Sequence, residues 1–349
     1  MTLPHIEALL PIAPETALPV FDHRAREIGF LVEPRADGMA IALAGGDMLV
    51  RAEGGATRIR VTAEDAPHLQ MLRDYLTEEL AAVGLVPEWQ GRPATGRPEN
   101  HALARVVSSE RISPSYCRVT LASEDLARFA SGGLHFRLLL GPEGADWPVL
   151  DANGVTEWPQ GAAAWHRPVY TTREIGMRDG VTHLDFDVFL HDGGRVTDWC
   201  GGLRAGAEIT ISGPGGRGPQ GAGWQGFVGD ETAVPVIARL LALLPPEASG
   251  EAVLVVPCAA DVQDLAHPPG VALRWALREA GETPLSALEG LRIPGRDGNG
   301  DRSVERAPGG DRIVFFAAEA AEAQAARKAL AARGLEKAEI SAAAYWTKE

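Results

Sequence analysis

From about residue 223 to its C-terminus, the chain alternates between apolar strand patterns and helical patterns. This alternation predicts a parallel sheet of the α/β type, because two parallel strands need a long crossover between them. Helices are predicted at Thr232–Leu244 and at the alanine-rich Glu319–Arg333, and the polar, glycine-rich stretch Pro294–Asp311 is predicted to be a mobile loop. The predicted strands are Gln225–Val228, Ala252–Pro257, Val271–Trp275, Arg312–Ala317 and a last strand near Glu339–Ala344.

The preceding part of the chain has a different pattern, in which short apolar segments are separated by turns rich in Gly and Pro. Many short strands of this kind predict an antiparallel β-barrel. One loop, from about Gly141 to His166, interrupts the pattern, and loops of that length are usually functional or disordered. The predicted strands are His101–Val107, Tyr116–Leu121, Leu134–Leu140, Val169–Ile175, Leu184–Leu190 and Glu208–Ser212.

The N-terminal part is predicted to be a small β-rich domain with one long helix. Leucines at helical spacing predict the amphipathic helix Ala63–Val83, and Gly91–Pro98 has the composition of a linker. Strands are predicted at Gly29–Val32, Met39–Leu43, Met48–Val50 and Thr57–Val61. The chain is therefore expected to be a multidomain α+β and α/β protein, with an N-terminal domain (1–92), a barrel domain (100–222) and an α/β domain (223–349).

Charge and composition exclude several classes of protein. The 349 residues carry a net charge of −14, and the arginines are dispersed. Nucleic-acid phosphates and anionic lipids would repel such a chain, so we expect no nucleic-acid partner and no membrane insertion. The N-terminus lacks the basic region of a signal peptide. Because Cys117, Cys200 and Cys258 are scattered, a disulfide framework is not expected, and a reducing cytoplasm is the expected location.

One glycine-rich motif is rejected and another segment is retained as a cofactor candidate. Gly213–Gly218 matches GxGxxG, but the prolines and glycines that follow prevent the helix that a dinucleotide fingerprint must open. The segment Arg167–Arg173 (RPVYTTR) alternates arginine, aromatic and hydroxyl side chains. Arginine binds phosphate through paired hydrogen bonds, and a tyrosine ring can lie against a flat heterocycle. An ordinary edge strand is the alternative.

A second segment predicts a phosphate site. The strand Asp185–His191 is followed by Gly193 and Gly194, and a helix is predicted to start near Thr197. The free N–H groups at a helix start attract phosphate. The alternative interpretation is that Thr197 only caps the helix.

These motifs, followed by Gly229–Pro235 (GDETAVP), stand in the order typical of siderophore-interacting proteins, and the chain resembles that family from about residue 100 onward. The resemblance implies an FAD-dependent ferric-siderophore reductase with the ferredoxin-reductase fold: a β-barrel for FAD and a parallel α/β domain for NAD(P)H. The aromatic pair Tyr345-Trp346 is similar to the chain ending of that family. The N-terminal domain resembles an accessory domain of no assigned activity.

The resemblance also implies site residues. Arg137 stands where many members have a lysine associated with the anionic siderophore, and Ala318 replaces a family glycine before Glu319. The residues implied for non-covalent FAD are Arg167, Tyr170, Thr171, Arg173, His191, Gly194 and Thr197. Those implied for the nicotinamide nucleotide are Gly229, Asp230, Glu231, Thr232, Glu319, Tyr345 and Trp346, although the two aromatics could instead only pack on the last helix.

The implied function is NAD(P)H-dependent reduction of ferric siderophores, which releases Fe(II) for iron assimilation. Two alternatives stay open: a flavin oxidoreductase of the same fold with another acceptor (free flavin, a quinone or a protein), and a non-catalytic siderophore-binding protein. The iron would arrive with the substrate, so no metal site is expected from the isolated histidines His135, His166, His183 and His191. A monomer is expected.

The Arg137 assignment can be tested directly. Arg137→Ala should raise the KM for a ferric siderophore and leave flavin content unchanged, because one cation that attracts the anionic chelate is lost. Steady-state kinetics with siderophore as the varied substrate would measure the effect, and an unaltered KM would reject the assignment.

Overall fold

The computed structural model describes residues 3–43, 45–91, 96–216, 218, 221, 223–295 and 312–348. The chain forms two compact units. The first contains Met1–Leu103, Arg137–Val169 and Ile209–Pro214, and the second contains Ala104–Phe136, Tyr170–Glu208 and Gly215–Glu349. The three-domain boundaries expected from the sequence stay a prediction.

The N-terminal region is a six-stranded sheet with two helices. Its strands are arranged in the order β2-β3-β4-β5-β1-β6. Alternate residues of β5 are buried, as a strand with one covered face requires. The elements are β1 (His5–Leu10), α1 (Pro14–Ile28), β2 (Val32–Arg35), β3 (Gly38–Leu43), β4 (Gly46–Glu53), β5 (Ala56–Ala63), α2 (Ala66–Ala82) and β6 (Glu88–Gln90).

The prediction of a single helix in this region is wrong, because α1 is a second one. Pro14 and Pro19 lie in an otherwise apolar stretch, and both are part of this helix. Pro14 occupies the start of α1, where a missing N–H costs nothing, and Pro19 lies within its first two turns. Ala17, Phe21 and Ala25, each four residues from the next, are buried in the N-terminal core.

A seven-stranded sheet follows, in the order β12-β9-β15-β7-β8-β14-β13. The pairs β7–β8, β8–β14 and β13–β14 are antiparallel, as predicted. The predicted single strand Val169–Ile175 is divided, because Thr172 and Arg173 lie between β12 and β13. The strands are β7 (His101–Ser113), β8 (Tyr116–Ala122), β9 (His135–Leu139), β12 (Val169–Thr171), β13 (Glu174–Arg178), β14 (Val181–Phe189) and β15 (Glu208–Gly215), and α3 (Arg195–Gly202) precedes β15.

The long loop after β9 is ordered and contains a small hairpin. Its strands β10 (Val149–Leu150) and β11 (Thr156–Glu157) pair antiparallel. Three predicted features lie wholly or partly outside the described residues. They are residues 92–95 of the linker, Arg217 of the rejected glycine motif, and most of the loop Pro294–Asp311.

The C-terminal part is a five-stranded, all-parallel sheet in the order β18-β17-β16-β19-β20, which confirms the α/β prediction. The central strands β16, β17 and β19 are almost continuously buried, which explains their unbroken apolar sequences. The elements are β16 (Trp224–Gly229), α4 (Val234–Leu243), β17 (Ser249–Val256), β18 (Gly270–Leu277), α5 (Pro284–Glu289), β19 (Arg312–Glu319), α6 (Ala320–Ala332) and β20 (Ile340–Trp346). No helix among the described residues is both long and apolar enough to cross a lipid bilayer.

Within the second unit, the buried carboxylate of Asp261 joins the turn before β8 to the segment after β17. Its Oδ1 accepts hydrogen bonds from Ser113 Oγ (2.7 Å) and Ser115 N (2.8 Å), and its Oδ2 accepts from Ser115 Oγ (2.8 Å) and Cys258 Sγ (3.3 Å). Burial alone would raise the pKa of Asp261, but these hydrogen bonds outweigh it and the pKa lies below its usual value.

The Asp261 carboxylate therefore stabilises the folded protein above the usual carboxyl pKa, and this contribution is lost as the pH falls through the lowered folded-state pKa. We expect Asp261→Asn to cost about 1–3 kcal/mol at neutral pH, because an amide N–H₂ then faces hydrogen-bond donors. The cost should shrink as the pH is lowered. Urea unfolding at several pH values measures both effects, and equal midpoints for the variant and the parent at neutral pH would contradict the expectation.

Candidate functional site

In the second unit, the predicted flavin residues Tyr170, Thr171 and Arg173, in β12 and directly after it, include a half-buried aromatic ring and an arginine Nε without a hydrogen-bond partner. The Tyr170 ring contacts the rings of Phe136 and Phe186, with centroid distances of 6.5 and 5.3 Å. Arg173 Nε is buried, has no hydrogen-bond partner, and lies 3.7 Å from Asp187 Oδ2. Burial lowers the pKa of Arg173 and the Asp187 charge opposes this, but the guanidinium stays charged.

Asp187 does not satisfy Arg173, because its carboxylate is already bound elsewhere. Arg118 donates to both of its oxygens, from Nε at 2.7 Å and from Nη2 at 2.8 Å. This paired geometry is the strongest hydrogen bonding that a carboxylate makes with arginine. Arg173 therefore keeps buried hydrogen-bonding capacity that an anion can use.

The second predicted phosphate segment also presents backbone hydrogen-bond donors. Helix α3 begins at Arg195 with Gly194 as its N-cap, and no side chain caps it. The helix thus starts near Thr197, as predicted, and the Thr197 hydroxyl accepts a hydrogen bond from the His191 N–H at 3.1 Å. A Cβ at Gly194 would lie 2.8 Å from the His191 ring and 2.9 Å from Thr197 Oγ1. The glycine thus keeps this turn tight and its backbone accessible.

A chain of three side chains extends from the predicted flavin residues to the C-terminus. Thr171 Oγ1 lies 3.2 Å from His135 Nδ1, and His135 Nε2 lies 3.3 Å from the Tyr345 hydroxyl. Burial lowers the pKa of His135, so its ring is neutral at pH 7 and has one donor and one acceptor nitrogen. Sequence reasoning considered His135 only as a metal ligand and missed this role. The sequence signal for a role near the site was that His135 lies two residues before Arg137, on the same strand β9.

The residues predicted for the nicotinamide nucleotide make hydrogen bonds among themselves at the carboxyl end of β16. Trp346 Nε1 donates to Asp230 Oδ2 at 2.7 Å, and Asp230 Oδ1 accepts from the backbone and hydroxyl of Thr232. A Cβ at Gly229 would come within 2.7 Å of Ala233. The structure thus brings Tyr345 and Trp346 together with the GDET segment.

Two acidic residues of this predicted group are engaged in other contacts. Glu231 forms an ion pair with Arg278 at 2.8 Å. Glu319 caps α6, because its carboxylate accepts from the N–H groups of Ala321 and Glu322. Their roles in nucleotide binding stay a prediction.

The predicted residues Arg137 and Arg167 belong to the first unit. The Arg167 guanidinium lies 4.7 Å from the centre of the Trp158 ring, a cation–π distance, and Arg137 Nη1 donates to the Arg167 carbonyl at 3.0 Å. Burial and the charge of Arg167 both lower the pKa of Arg137. The other candidate histidines bond locally: His183 Nδ1 lies 3.1 Å from Val181 O, and His166 pairs with Leu140 across a β-bridge.

Comparison with known proteins decides the family. The model of the siderophore-interacting FAD-binding domain matches residues 105–218, and that of the siderophore-interacting protein matches residues 222–349. The NADPH-dependent ferric-chelate reductase of Escherichia coli K12 is 31% identical over 205 residues, which are 55% of this chain and 77% of that one. The chain belongs to the siderophore-interacting protein family. The resemblance inferred from the motifs is therefore confirmed.

Another relative and two solved structures agree with this assignment. The ferric vibriobactin reductase of Vibrio cholerae is 29% identical over 202 residues, 54% of this chain and 72% of its own. A siderophore-interacting protein from Aeromonas hydrophila superposes with a TM-score of 0.54 and 26% identity, covering 71% of this chain and 99% of that one. A siderophore utilization protein from T. fusca superposes with a TM-score of 0.57 and 27% identity, covering 71% of this chain and 93% of that one. The predicted ferredoxin-reductase-like fold class is confirmed.

The residues present fit an FAD. A flavin dinucleotide needs a surface for its flat ring and donors for its diphosphate. The second unit supplies the half-buried Tyr170 ring, the Thr171 hydroxyl, the unsatisfied Nε of Arg173 and the uncapped start of α3.

Substitution at the α3 turn tests this fit. Gly194→Ala should weaken FAD binding by about tenfold, equivalent to roughly 1.4 kcal/mol, because the methyl group displaces His191 and Thr197 from the turn. Gly202→Ala, at the other end of α3, is the matched control, because its Cβ would meet no atom within 4 Å. FAD titration followed by flavin fluorescence gives both dissociation constants. Equal constants for the two variants would show that the turn does not bind the cofactor.

Proposed function

We propose that this protein is an NAD(P)H-dependent flavoprotein that reduces ferric siderophore complexes and so releases Fe(II) for iron assimilation in the cytoplasm. The observation that carries the proposal is the buried Nε of Arg173, which has no hydrogen-bond partner and lies in the segment that matches the FAD-binding domain of siderophore-interacting proteins. The names of the Vibrio cholerae and Escherichia coli relatives support ferric chelates as the substrate class.

In the proposed reaction, NAD(P)H donates two electrons together as a hydride, whereas Fe(III) accepts one electron. A bound FAD would supply the link between hydride transfer from NAD(P)H and single-electron transfer to Fe(III). Siderophore oxygens hold Fe(III) as a hard cation and hold the softer Fe(II) much more weakly, so reduction releases the metal. The protein therefore needs no iron ligands of its own.

The side chains contribute binding and orientation. Arg173 and the start of α3 would hold the diphosphate, and Tyr170 would support the flavin ring. The Thr171 hydroxyl would contact that ring in an orientation set by His135 Nδ1. Tyr345 and Trp346, fixed by His135 and Asp230, would position the nicotinamide. The name of the Escherichia coli relative favours NADPH as the donor.

The proposal is tested by anaerobic kinetics on the purified yellow protein. We expect NADPH to bleach the flavin and ferric siderophores to restore its colour, with Fe(II) appearing in step as measured by a ferrous chelator. Free flavin and a quinone serve as competing acceptors. Reoxidation by these acceptors but not by any ferric siderophore would contradict the proposal, as would a colourless protein that binds siderophore without turnover.

A further inference from the structure

Two of the three cysteines of the chain lie side by side in the second unit. Cys117 is on β8 and Cys200 is on α3, and both are free thiols that are almost fully buried, with 6% and 7% of their surfaces exposed. Ser109 on β7 contacts both, because its Oγ lies 3.2 Å from Cys117 Sγ and 3.4 Å from the Cys200 carbonyl oxygen. A hydrogen bond also joins the two thiols. The fold thus brings together two cysteines that are scattered in the sequence.

The surroundings of Cys117 favour its thiolate form. The hydrogen bond from the Cys200 thiol is the largest of the effects that lower the pKa of Cys117 to about 6. The Ser109 hydroxyl and the positive charge of Arg111 act in the same direction, whereas burial and the charge of Asp187 oppose it. The shared hydrogen bond and burial raise the pKa of Cys200, which keeps its proton. Cys117 is therefore the nucleophile of the pair, and Cys200 is a protonated thiol beside it.

The third cysteine has a different contact. Cys258 Sγ donates a hydrogen bond to Asp261 Oδ2 at 3.3 Å, and the side chain is half-buried. A carboxylate cannot form a covalent bond with an oxidised sulfur in the way that a second thiol can. Cys258 thus serves as an internal reference for the reactivity of the pair.

Helix α3 connects Cys200 to the predicted flavin residues. The helix begins directly after Gly194, at the turn predicted to bind the FAD diphosphate. The ring of Trp199, the residue before Cys200, stacks on Phe186 with centroids 6.5 Å apart, and Phe186 contacts Tyr170 at 5.3 Å. A displacement of Cys200 therefore reaches both the start of α3 and the ring predicted to support the flavin.

A bond between the two sulfurs would require such a displacement. A covalent S–S bond is much shorter than a hydrogen-bonded contact between two thiols. Cys117 is fixed by the sheet, since β8 pairs with β7 on one side and with β14 on the other. The movement therefore falls on α3. The turn at its start has no spare room, because a Cβ at Gly194 would lie 2.8 Å from the His191 ring.

We propose that Cys117 and Cys200 are a peroxide-sensitive dithiol, whose oxidation to a disulfide pulls α3 toward β8 and weakens FAD binding. The oxidant is hydrogen peroxide, which forms when dioxygen takes two electrons from a reduced flavin. Ser109 is partly exposed, so the thiols lie one side chain beneath the surface, within reach of so small a molecule. The effect on FAD rests on the proposed function, whereas the modification site rests on the cysteine contacts alone.

The reaction balances with one peroxide for each pair of thiols. The Cys117 thiolate attacks one peroxide oxygen, so that an S–O bond forms, the O–O bond breaks, and the departing hydroxide takes up a proton to become water. Cys117 is then a sulfenic acid. Cys200 attacks its sulfur, the S–S bond forms, and the S–O bond breaks, with the Cys200 proton leaving in a second water. The two sulfurs lose two electrons in total, and the peroxide gains them.

This chemistry gives the disulfide a purpose in a protein that releases Fe(II). Ferrous iron and hydrogen peroxide together generate hydroxyl radicals. A reductase that loses its flavin in the presence of peroxide stops supplying one of these two reactants. A dithiol reductant reverses the disulfide and restores the protein.

Mass spectrometry of full-length holoprotein tests the modification site. The protein is purified under reducing conditions, treated with an equimolar amount of hydrogen peroxide, alkylated and digested without reduction. We expect an intact mass lower by about 2 Da, for two lost hydrogen atoms, and one linked peptide pair that contains Cys117 and Cys200. Cys258 should be recovered in alkylated form. Recovery of all three cysteines as alkylated thiols, or oxidation of Cys258 alone, would overturn the proposal.

Release of FAD tests the consequence. Dilution of oxidised and reduced holoprotein, followed by the fluorescence of released FAD, gives the two dissociation constants. The oxidised form should bind FAD about tenfold more weakly, and dithiothreitol should restore the affinity. A disulfide that leaves the dissociation constant unchanged would overturn the effect on α3.

Two variants act as controls, each compared with and without peroxide so that a general loss of stability cancels. Cys258→Ser is the matched control and should respond to peroxide as the parent does. Cys200→Ser should stop at a Cys117 sulfenic acid, which dimedone traps, and its affinity for FAD should not change on treatment. If the linked peptides form but the reduced parent binds no FAD, the proposed function fails and the modification site stands.

Discussion

A buried arginine is tolerated in a folded protein only when its charge and its N–H donors find partners. In the second unit, Asp187 accepts both hydrogen bonds of Arg118 and leaves Arg173 with charge attraction but no hydrogen bond from Nε. The break between β12 and β13 falls at Thr172 and Arg173. An anionic cofactor can accept the hydrogen bond that Arg173 Nε does not make within the protein.

How far the sequence predicted this arrangement depended on whether the decisive contacts were local. The parallel sheet and most strands of the seven-stranded sheet were predicted, because burial of one or both faces of a strand produces alternating or continuous apolar residues in the sequence. Tyr170, Arg173 and Gly194 were identified because their motif spans only a few residues. The start of α3 near Thr197 was predicted from the local sequence, but the contact between the Thr197 hydroxyl and the His191 N–H was not.

Features that depend on distant partners could not be predicted. The contacts between Asp74 and Thr156 join residues 82 positions apart, and no periodicity reports such a pair. His135 gave no local sign of its two hydroxyl partners. In each case the function of the residue is set by tertiary contacts that leave the local pattern ordinary.

The neutral His135 ring has a consequence for the two hydroxyls that it joins. A ring with one proton cannot donate to both Thr171 and Tyr345, nor accept from both. If Thr171 gives its proton to Nδ1, then Nε2 must give its own to Tyr345, and the reverse holds in the other tautomer. The two hydroxyls are therefore not independent: a change of hydrogen-bond polarity at one end of the chain imposes the opposite polarity at the other, 174 residues further along the sequence.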